Sequence, residues 1–251
     1  MNENKFDGMG NIYAKFRPNY PKDFIDFLFT DLNLPKNCVF ADVGAGTGIL
    51  TKQLLEKDAT VYAVEPNDDM RKVAENNLKV FSKFIPVKGT AENTTLSDNS
   101  IDIITAAQAF HWFDRQKFKK ECQRILKPSG KVILIWNSRD SKSELIIEND
   151  SINRKYCSNF KGFSGGMRGA TQEDDFSDFF SGEYTVKTFP NPLTYSKKNF
   201  VGRNLSASYA LKENDVNYTY YVNELEKLFD KYSKDGVLTM PNFTMCYFGT
   251  V

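Results

Sequence analysis

The sequence predicts an α/β protein built on a doubly wound, mostly parallel sheet. Three observations point there. Between residues 22 and 140, short β-rich runs alternate with stretches of helical periodicity. Several runs are continuously apolar, as in Val132-Ile133-Leu134-Ile135, which suits strands covered on both faces. A glycine-rich turn, Gly44-Ala45-Gly46-Thr47-Gly48, directly follows the first strand.

The elements follow in order. Phe16-Arg17-Pro18-Asn19-Tyr20-Pro21 ends a polar and aromatic lead-in, and its two prolines prevent a continuous helix. From Lys22, the residues Phe24, Ile25, Phe27, Leu28 and Leu32 fall at helical spacing up to Pro35. A first strand, Cys38 to Val43, leads into the glycine turn, and Leu50, Leu54 and Leu55 mark the helix after it. Val61 to Val64 is a second strand ending at Glu65, and Met70, Val73, Ala74, Asn77, Leu78 and Phe81 form an amphipathic helix. Phe84 to Val87 and Ile101 to Ala106 are strands three and four. Phe118, Cys122, Ile125 and Leu126 give a helix closed by Lys127-Pro128-Ser129-Gly130, and Lys131 to Trp136 is strand five. Beyond Arg139 the rhythm breaks. Residues 141 to 182 read as a helix and a mobile connection, Glu183 to Leu193 as a sixth strand, 196 to 213 as helices, 216 to 234 as a clear helix, and Thr244 to Phe248 as a last strand.

Composition narrows the function classes. The chain has 251 residues, 41% hydrophobic and 26% charged, so it can bury a sizeable core and is neither disordered nor collagen-like. A formal charge of +1 offers no global field for nucleic acid or anionic lipid. Four scattered cysteines without a C-x-x-C pair, and a single histidine, His111, argue against a metal site. The opening Met1-Asn2-Glu3-Asn4-Lys5 lacks an apolar segment, and the uncharged run Ile103 to Phe113 is far too short to span a membrane. The expectation is a soluble, cytoplasmic protein without metal, nucleic-acid or membrane partners.

The glycine turn sits where α/β proteins bind small molecules, at the carboxyl end of the sheet. Glu65, closing strand two, stands where a carboxylate can accept from both hydroxyls of a ribose, so the expected ligand contains adenosine. NAD fits less well. The turn reads G-x-G-x-G rather than G-x-G-x-x-G, Asp42 lies two residues ahead of it as a natural partner for an ammonium group, and no tyrosine-x3-lysine dyad is present. The absence of G-K-[ST] after the glycines excludes a P-loop.

Four ordered segments carry a resemblance: Val39 to Gly48, Val64-Glu65-Pro66, Gly89-Thr90-Ala91-Glu92, and Ile101 to Phe113. Together they resemble the motifs of class I S-adenosylmethionine-dependent methyltransferases, within the small-molecule (type 11) branch that includes ubiquinone/menaquinone- and trans-aconitate-type enzymes. The resemblance covers residues 38 to 136, and the lead-in Tyr13 to Pro21 is also similar. It implies a Rossmann-like, seven-stranded sheet with a helical lid elaboration in the C-terminal half. The implied organisation is a closing segment at 1–21, a cofactor-binding core at 22–140, and lid plus last strands at 141–251.

What the resemblance implies for single residues is specific. Gly44, Ala45 and Gly46 would run beneath the methionine and ribose parts of S-adenosylmethionine, or of its product S-adenosylhomocysteine. Asp42 would help hold the amino-acid end, Glu65 with Pro66 the ribose, and Met70 the adenine face. Ala91 and Glu92 would read the adenine edge, Ala107 and Gln108 would offer a carbonyl to the ammonium, and Tyr13 and Arg17 would close the site. Met70 at helical spacing equally suits a core position, Glu92 a solvated one, and Arg17 a surface anchor. His111, after strand four and beside Trp112 and Phe113, is expected as a substrate contact or a base, or as a structural hydrogen-bonding residue. The expected reaction is methyl transfer to an O-, N- or C-nucleophile of a small molecule, a carboxylate among them. A non-catalytic S-adenosylmethionine-binding or regulatory protein and an NAD-dependent oxidoreductase stand as alternatives. Substrate and oligomeric state lie beyond these observations.

Overall fold

In a computed structural model, residues 18–32, 34, 37–163, 175–207 and 209–251 are described. The connection expected within 141 to 182 lies partly outside them, as do Tyr13 and Arg17. The described residues form two compact units. One draws on Met1–Trp136, Thr171–Phe189 and Thr244–Val251, the other on Asn137–Ala170 and Pro190–Phe243.

In the first unit, α1 (Lys22–Thr30) starts where Pro21 ends an extended stretch, has Asp23 in its first turn, and buries Phe24, Ile25, Phe27 and Leu28. Strands β1 (Val39–Val43), β2 (Thr60–Val64) and β3 (Phe84–Val87) alternate with α2 (Ile49–Leu55) and α3 (Asp68–Leu78). The N-terminus of α3 is well specified: the Asn67 side chain accepts from the Met70 amide, and Asp68 and Asp69 occupy the positive first turn. After β4 (Ile101–Ala107) a 3₁₀ turn at Phe110–Trp112 precedes α4 (Arg115–Ile125), capped by Asp114 accepting from the Lys117 amide. Strand β5 (Leu126–Arg139) follows at once.

With β6 (Thr185–Pro190) and β9 (Asn242–Gly249), these strands make one seven-stranded sheet in the order β3-β2-β1-β4-β5-β9-β6. The pairs β1–β2, β1–β4, β2–β3 and β4–β5 are parallel. Burial explains the unbroken apolar runs: Val132, Ile133, Leu134 and Ile135 are all fully buried. The order reverses direction at β1, so the loops after β1 and β4 leave the sheet side by side, at the place where such sheets bind ligands.

Three boundaries differ from the expectation. Lys127-Pro128-Ser129-Gly130, read as a helix stop, is a bulge inside β5: Ile101 pairs with Leu126, and Ile103 with Lys131. Gly130 suits it because a Cβ there would lie 2.7 Å from Leu126 Cδ2 and 3.0 Å from the Lys127 carbonyl oxygen. The single strand expected over 183 to 193 is two, β6 and β7 (Leu193–Tyr195), separated at Asn191-Pro192, where Pro192 has no N–H to donate. The last strand begins at Asn242, two residues earlier than expected.

The second unit packs α5 (Glu144–Tyr156), α6 (Lys197–Leu205) and α7 (Tyr218–Tyr232) with an antiparallel pair, β7 and β8 (Leu238–Met240). Its core includes Leu145, Phe200, Tyr221, Leu225, Phe229 and Leu238. Within it the Tyr221 hydroxyl donates to Asn153 Oδ1 at 2.6 Å, and Asn153 Nδ2 donates to the Asn149 carbonyl at 2.8 Å, which satisfies polar groups that burial would otherwise penalise. Among the described residues no helix is long and apolar enough to cross a membrane.

Candidate active site

The loop after β1 is tied to β2 by backbone alone: the amides of Gly44 and Ala45 both donate to the Val64 carbonyl, at 2.9 and 3.1 Å. At Gly44 the chain takes a left-handed φ of 73°, and a Cβ there would lie 2.6 Å from Ala109 Cβ and 3.3 Å from Phe113 Cζ. Gly48, at φ 81°, is the N-cap of α2, and its Cβ position falls 2.6 Å from Leu78 Cδ1. The glycines therefore let the β4 loop and α3 close against this turn. Between them, Thr47 is buried and its hydroxyl has no hydrogen-bond partner among the described residues.

Glu65 lies across the loop. One carboxylate oxygen accepts the Gly46 amide at 2.8 Å, the other the Asn67 amide at 2.9 Å. Burial pushes this carboxyl above its usual range, opposed by the two amides. Each oxygen keeps a further acceptor position. Pro66 sits between the two anchored residues, and Arg71 donates to the Glu65 carbonyl at 3.0 Å. Met70 is buried, with its sulfur 3.7 Å from the position of a Cβ on Gly46.

Asp42 is placed differently. It is buried within β1, where its two oxygens accept the hydroxyls of Thr51 from α2 at 2.7 Å and Thr105 from β4 at 2.9 Å. Burial raises its pKa, and the two hydroxyls oppose the shift. This carboxylate braces the loop from inside the fold.

Ala91 and Glu92 form a turn bracketed by paired Thr90 and Asn93. Ala91 is buried, and Glu92 Oε1 accepts the Asp114 amide at 3.0 Å, joining this turn to the start of α4. At the end of β4, Ala107 is half-buried and Gln108 takes φ 56°, an uncommon conformation for a residue with a side chain. The Gln108 amide donates to the Ile135 carbonyl at 2.8 Å, which holds this bend against β5. Phe110 is buried among Phe118, Trp136 and Phe179, whereas His111 is exposed, its ring centre 5.0 Å from that of Trp112.

The structure thus joins Gly44, Gly46, Glu65 and Met70 with Ala109 and Phe113, and links Glu92 to the same region through Asp114. Sequence reasoning missed Thr47, Asn67, Thr51, Thr105 and Phe113. Asn67 alone carried a signal, a capping residue just before an amphipathic helix. Among the described residues no group of three or more His, Cys, Asp or Glu side chains could hold a metal ion.

Comparison with known proteins agrees with this architecture. Residues 41–134 match the model of the methyltransferase domain. An uncharacterised methyltransferase of Mycobacterium tuberculosis is 40% identical over 138 residues, covering 55% of this chain and 54% of that protein. An uncharacterised methyltransferase of Schizosaccharomyces pombe is 33% identical over 130 residues, 51% of each chain. The chain therefore spans about half the length of these relatives. Among solved structures, a candidate type II methyltransferase from Anaeromyxobacter dehalogenans superposes with a TM-score of 0.66 at 18% identity, covering 94% of this chain and 98% of that one. The YcgJ protein of Bacillus subtilis gives 0.55 at 17%, covering 90% and 98%. These two likenesses speak for the fold alone. With the glycine loop, the strand-two acid and the sheet order in place, residues 41–134 match a methyltransferase domain and lie in a Rossmann-like sheet.

Proposed function

We propose that this protein transfers a methyl group from S-adenosylmethionine to a small-molecule acceptor by direct displacement. The observation that carries the reading is the Glu65 carboxylate, held between the Gly46 and Asn67 amides beside the β1 loop, with acceptor positions left for two ribose hydroxyls. The buried Thr47 hydroxyl in that loop is a second sign of fit, since a polar ligand there would satisfy it.

In this reading Gly44, Ala45 and Gly46 bring backbone close to the cofactor, and Glu65, backed by Pro66, orients its ribose. Met70 packs the adenine, and Ala91 and Glu92 read its edge. The bend at Ala107-Gln108 turns a carbonyl toward the ammonium. Asp42 acts through Thr51 and Thr105 by fixing the loop rather than by touching the ligand. The cofactor itself supplies a sulfonium-activated methyl group, so alignment rather than strong base catalysis supplies most of the barrier reduction. His111 contacts the acceptor and takes its proton when the nucleophile carries one. A near-neutral chain suits a small acceptor rather than nucleic acid.

Calorimetric titration with S-adenosylhomocysteine, with NAD as control, tests this. Binding of the sulfur nucleotide alone, followed by methyl turnover on a metabolite panel, is the expected result. No binding, or binding of NAD instead, would overturn it.

A further inference from the structure

The turn that carries Ala91 and Glu92 is gripped from outside by α4 at two places. At the start of the helix, the Asp114 amide donates to Glu92 Oε1 at 3.0 Å, and Asp114 itself caps the helix. About two helical turns further on, Glu121 reaches Thr94. Its Oε1 accepts the Thr94 amide at 2.8 Å and the Thr94 hydroxyl at 2.6 Å. Thr94 is fully buried, and its hydroxyl also accepts the Leu96 amide at 3.3 Å. Arg124 completes the clasp. Its guanidinium donates to both carboxylate oxygens of Glu121, at 2.7 and 3.0 Å, and to the Leu96 carbonyl at 2.8 Å.

Helix packing alone does not ask for this arrangement. A buried carboxylate on α4 gives up hydration that an apolar side chain would not need to lose. Burial favours the neutral acid, yet the donors of Arg124 and Thr94 outweigh it and hold the Glu121 carboxyl below its usual range. The segment that the clasp grips is strained. Thr95 takes φ 64°, a left-handed conformation that a β-branched side chain opposes. Such strain persists where surrounding contacts impose it, and Glu121 and Arg124 hold the residues on either side of Thr95. Within the turn, the Thr90 amide donates to the Asn93 carbonyl at 3.0 Å. A Cβ on Gly89 would lie 2.8 Å from the Thr94 carbonyl oxygen, so the two ends of the turn meet closely. Ala91 and Glu92 therefore ride on a short closed loop whose far end is fixed by Glu121.

We propose that Glu121 is a positioning residue for base selection: by holding Thr94 it sets the turn in which Glu92 distinguishes the 6-amino group of adenine from the 6-oxo group of hypoxanthine. A carboxylate only accepts hydrogen bonds, so it favours the amine and repels the oxygen, and it does so only while the turn keeps it in register. The inference rests on the reading of Ala91 and Glu92 as the adenine contact.

The test titrates the full chain by calorimetry with two nucleosides that differ at that one group, S-adenosylhomocysteine and S-inosylhomocysteine. The wild type should bind the adenine compound at least about tenfold more tightly, the worth of one hydrogen bond to a charged acceptor. In Glu121→Ala the preference should shrink to about threefold or less, through loss of affinity for the adenine compound alone. Thr94→Val, which removes one hydroxyl, should lose part of the preference, and Thr94→Ser should keep it. A merely structural role would weaken both nucleosides together and leave their ratio unchanged. An unchanged ratio in Glu121→Ala would therefore overturn the inference. Where that variant fails to fold, an unchanged ratio in Thr94→Val would do the same. Binding of both nucleosides by the wild type without discrimination would also overturn the inference, while leaving methyl transfer standing. Absence of S-adenosylhomocysteine binding would overturn the methyl-transfer reading and the inference with it.

Discussion

The Glu65 carboxylate accepts the Gly46 amide at 2.8 Å, so the residue that closes β2 holds the loop that follows β1. The same side chain accepts the Asn67 amide at 2.9 Å and therefore also fixes the entrance to α3. One carboxylate thus couples loop shape to ligand recognition. Substitution should act on both.

Glu65→Ala is expected to lower S-adenosylhomocysteine affinity by about tenfold to a hundredfold, the worth of one or two hydrogen bonds to a charged acceptor. It should also cost about 1–3 kcal/mol of stability by leaving the Gly46 and Asn67 amides without their acceptor. Glu65→Gln keeps one acceptor oxygen and should lose less on both counts. Calorimetry and urea unfolding on the same preparations separate the two effects.

The pH dependence has a definite sign. Because burial raises the Glu65 pKa in the folded state, the native protein holds this proton more tightly than the unfolded chain does. The group's contribution to stability is therefore greatest at low pH and declines as pH rises from the ordinary value of 4.5 through the raised one. Wild-type stability minus that of Glu65→Gln should fall across that window and level off above it. Cofactor affinity should run the other way, weakening as pH drops and the carboxylate loses acceptor positions. Parallel unfolding and binding series in matched buffers measure both slopes, and a difference in stability that rises with pH would contradict the assignment.

Asp42 gives a contrasting prediction. Asp42→Ala strands the buried hydroxyls of Thr51 and Thr105, with an expected loss of about 2–4 kcal/mol. Because Asp42 braces the loop from behind, affinity for S-adenosylhomocysteine should fall only in proportion to the damage to the fold. In Asp42→Asn, which retains one acceptor, both losses should be smaller and correlated. A large loss of affinity at unchanged stability would instead mean direct contact with the ligand.

Much of this was legible in the sequence because it rests on local chemistry. Continuous apolar runs marked strands buried on both faces, and the acidic residue at the end of the second run drew attention to Glu65 as a ribose acceptor, though not to its bond with the Gly46 amide. What was hidden depends on register. Thr51 and Thr105 lie 9 and 63 residues from Asp42, and only the β1–β4 pairing and the seat of α2 bring them to the same carboxylate. Ala109 and Phe113 meet Gly44 for the same reason. The three-residue strands β7 and β8 are too short to show any period. Lys127-Pro128-Ser129-Gly130 has the composition of a helix stop, and nothing local says that the chain is already back in the sheet.

Gly44 offers a test of close approach. Gly44→Ala places a methyl 2.6 Å from Ala109 Cβ at a left-handed φ, so it should lose about 2–4 kcal/mol and most cofactor affinity. Adding Ala109→Gly removes the atom that is struck but not the backbone strain. The double variant should recover part of the loss, and a thermodynamic cycle on unfolding free energies gives the coupling. Purely additive losses would mean that the two loops do not meet.

His111 separates binding from chemistry. It is exposed on the 3₁₀ turn while its neighbour Phe110 anchors the turn in the aromatic core. His111→Ala should therefore leave stability within about 0.5 kcal/mol, as substitutions on an open surface do. S-adenosylhomocysteine affinity should also be unchanged, because the cofactor contacts assigned above lie on the β1 loop, Glu65 and the turn at Ala91-Glu92. Turnover is where the change belongs. If the imidazole takes a proton from the acceptor, kcat falls by about a hundredfold and the acid limb of its pH profile disappears. If it only positions the acceptor, KM rises while the pH profile keeps its shape, and His111→Gln restores part of the rate. Equal loss of cofactor affinity in His111→Ala and Glu65→Ala would contradict the division of labour between the strand-two acid and the turn after β4.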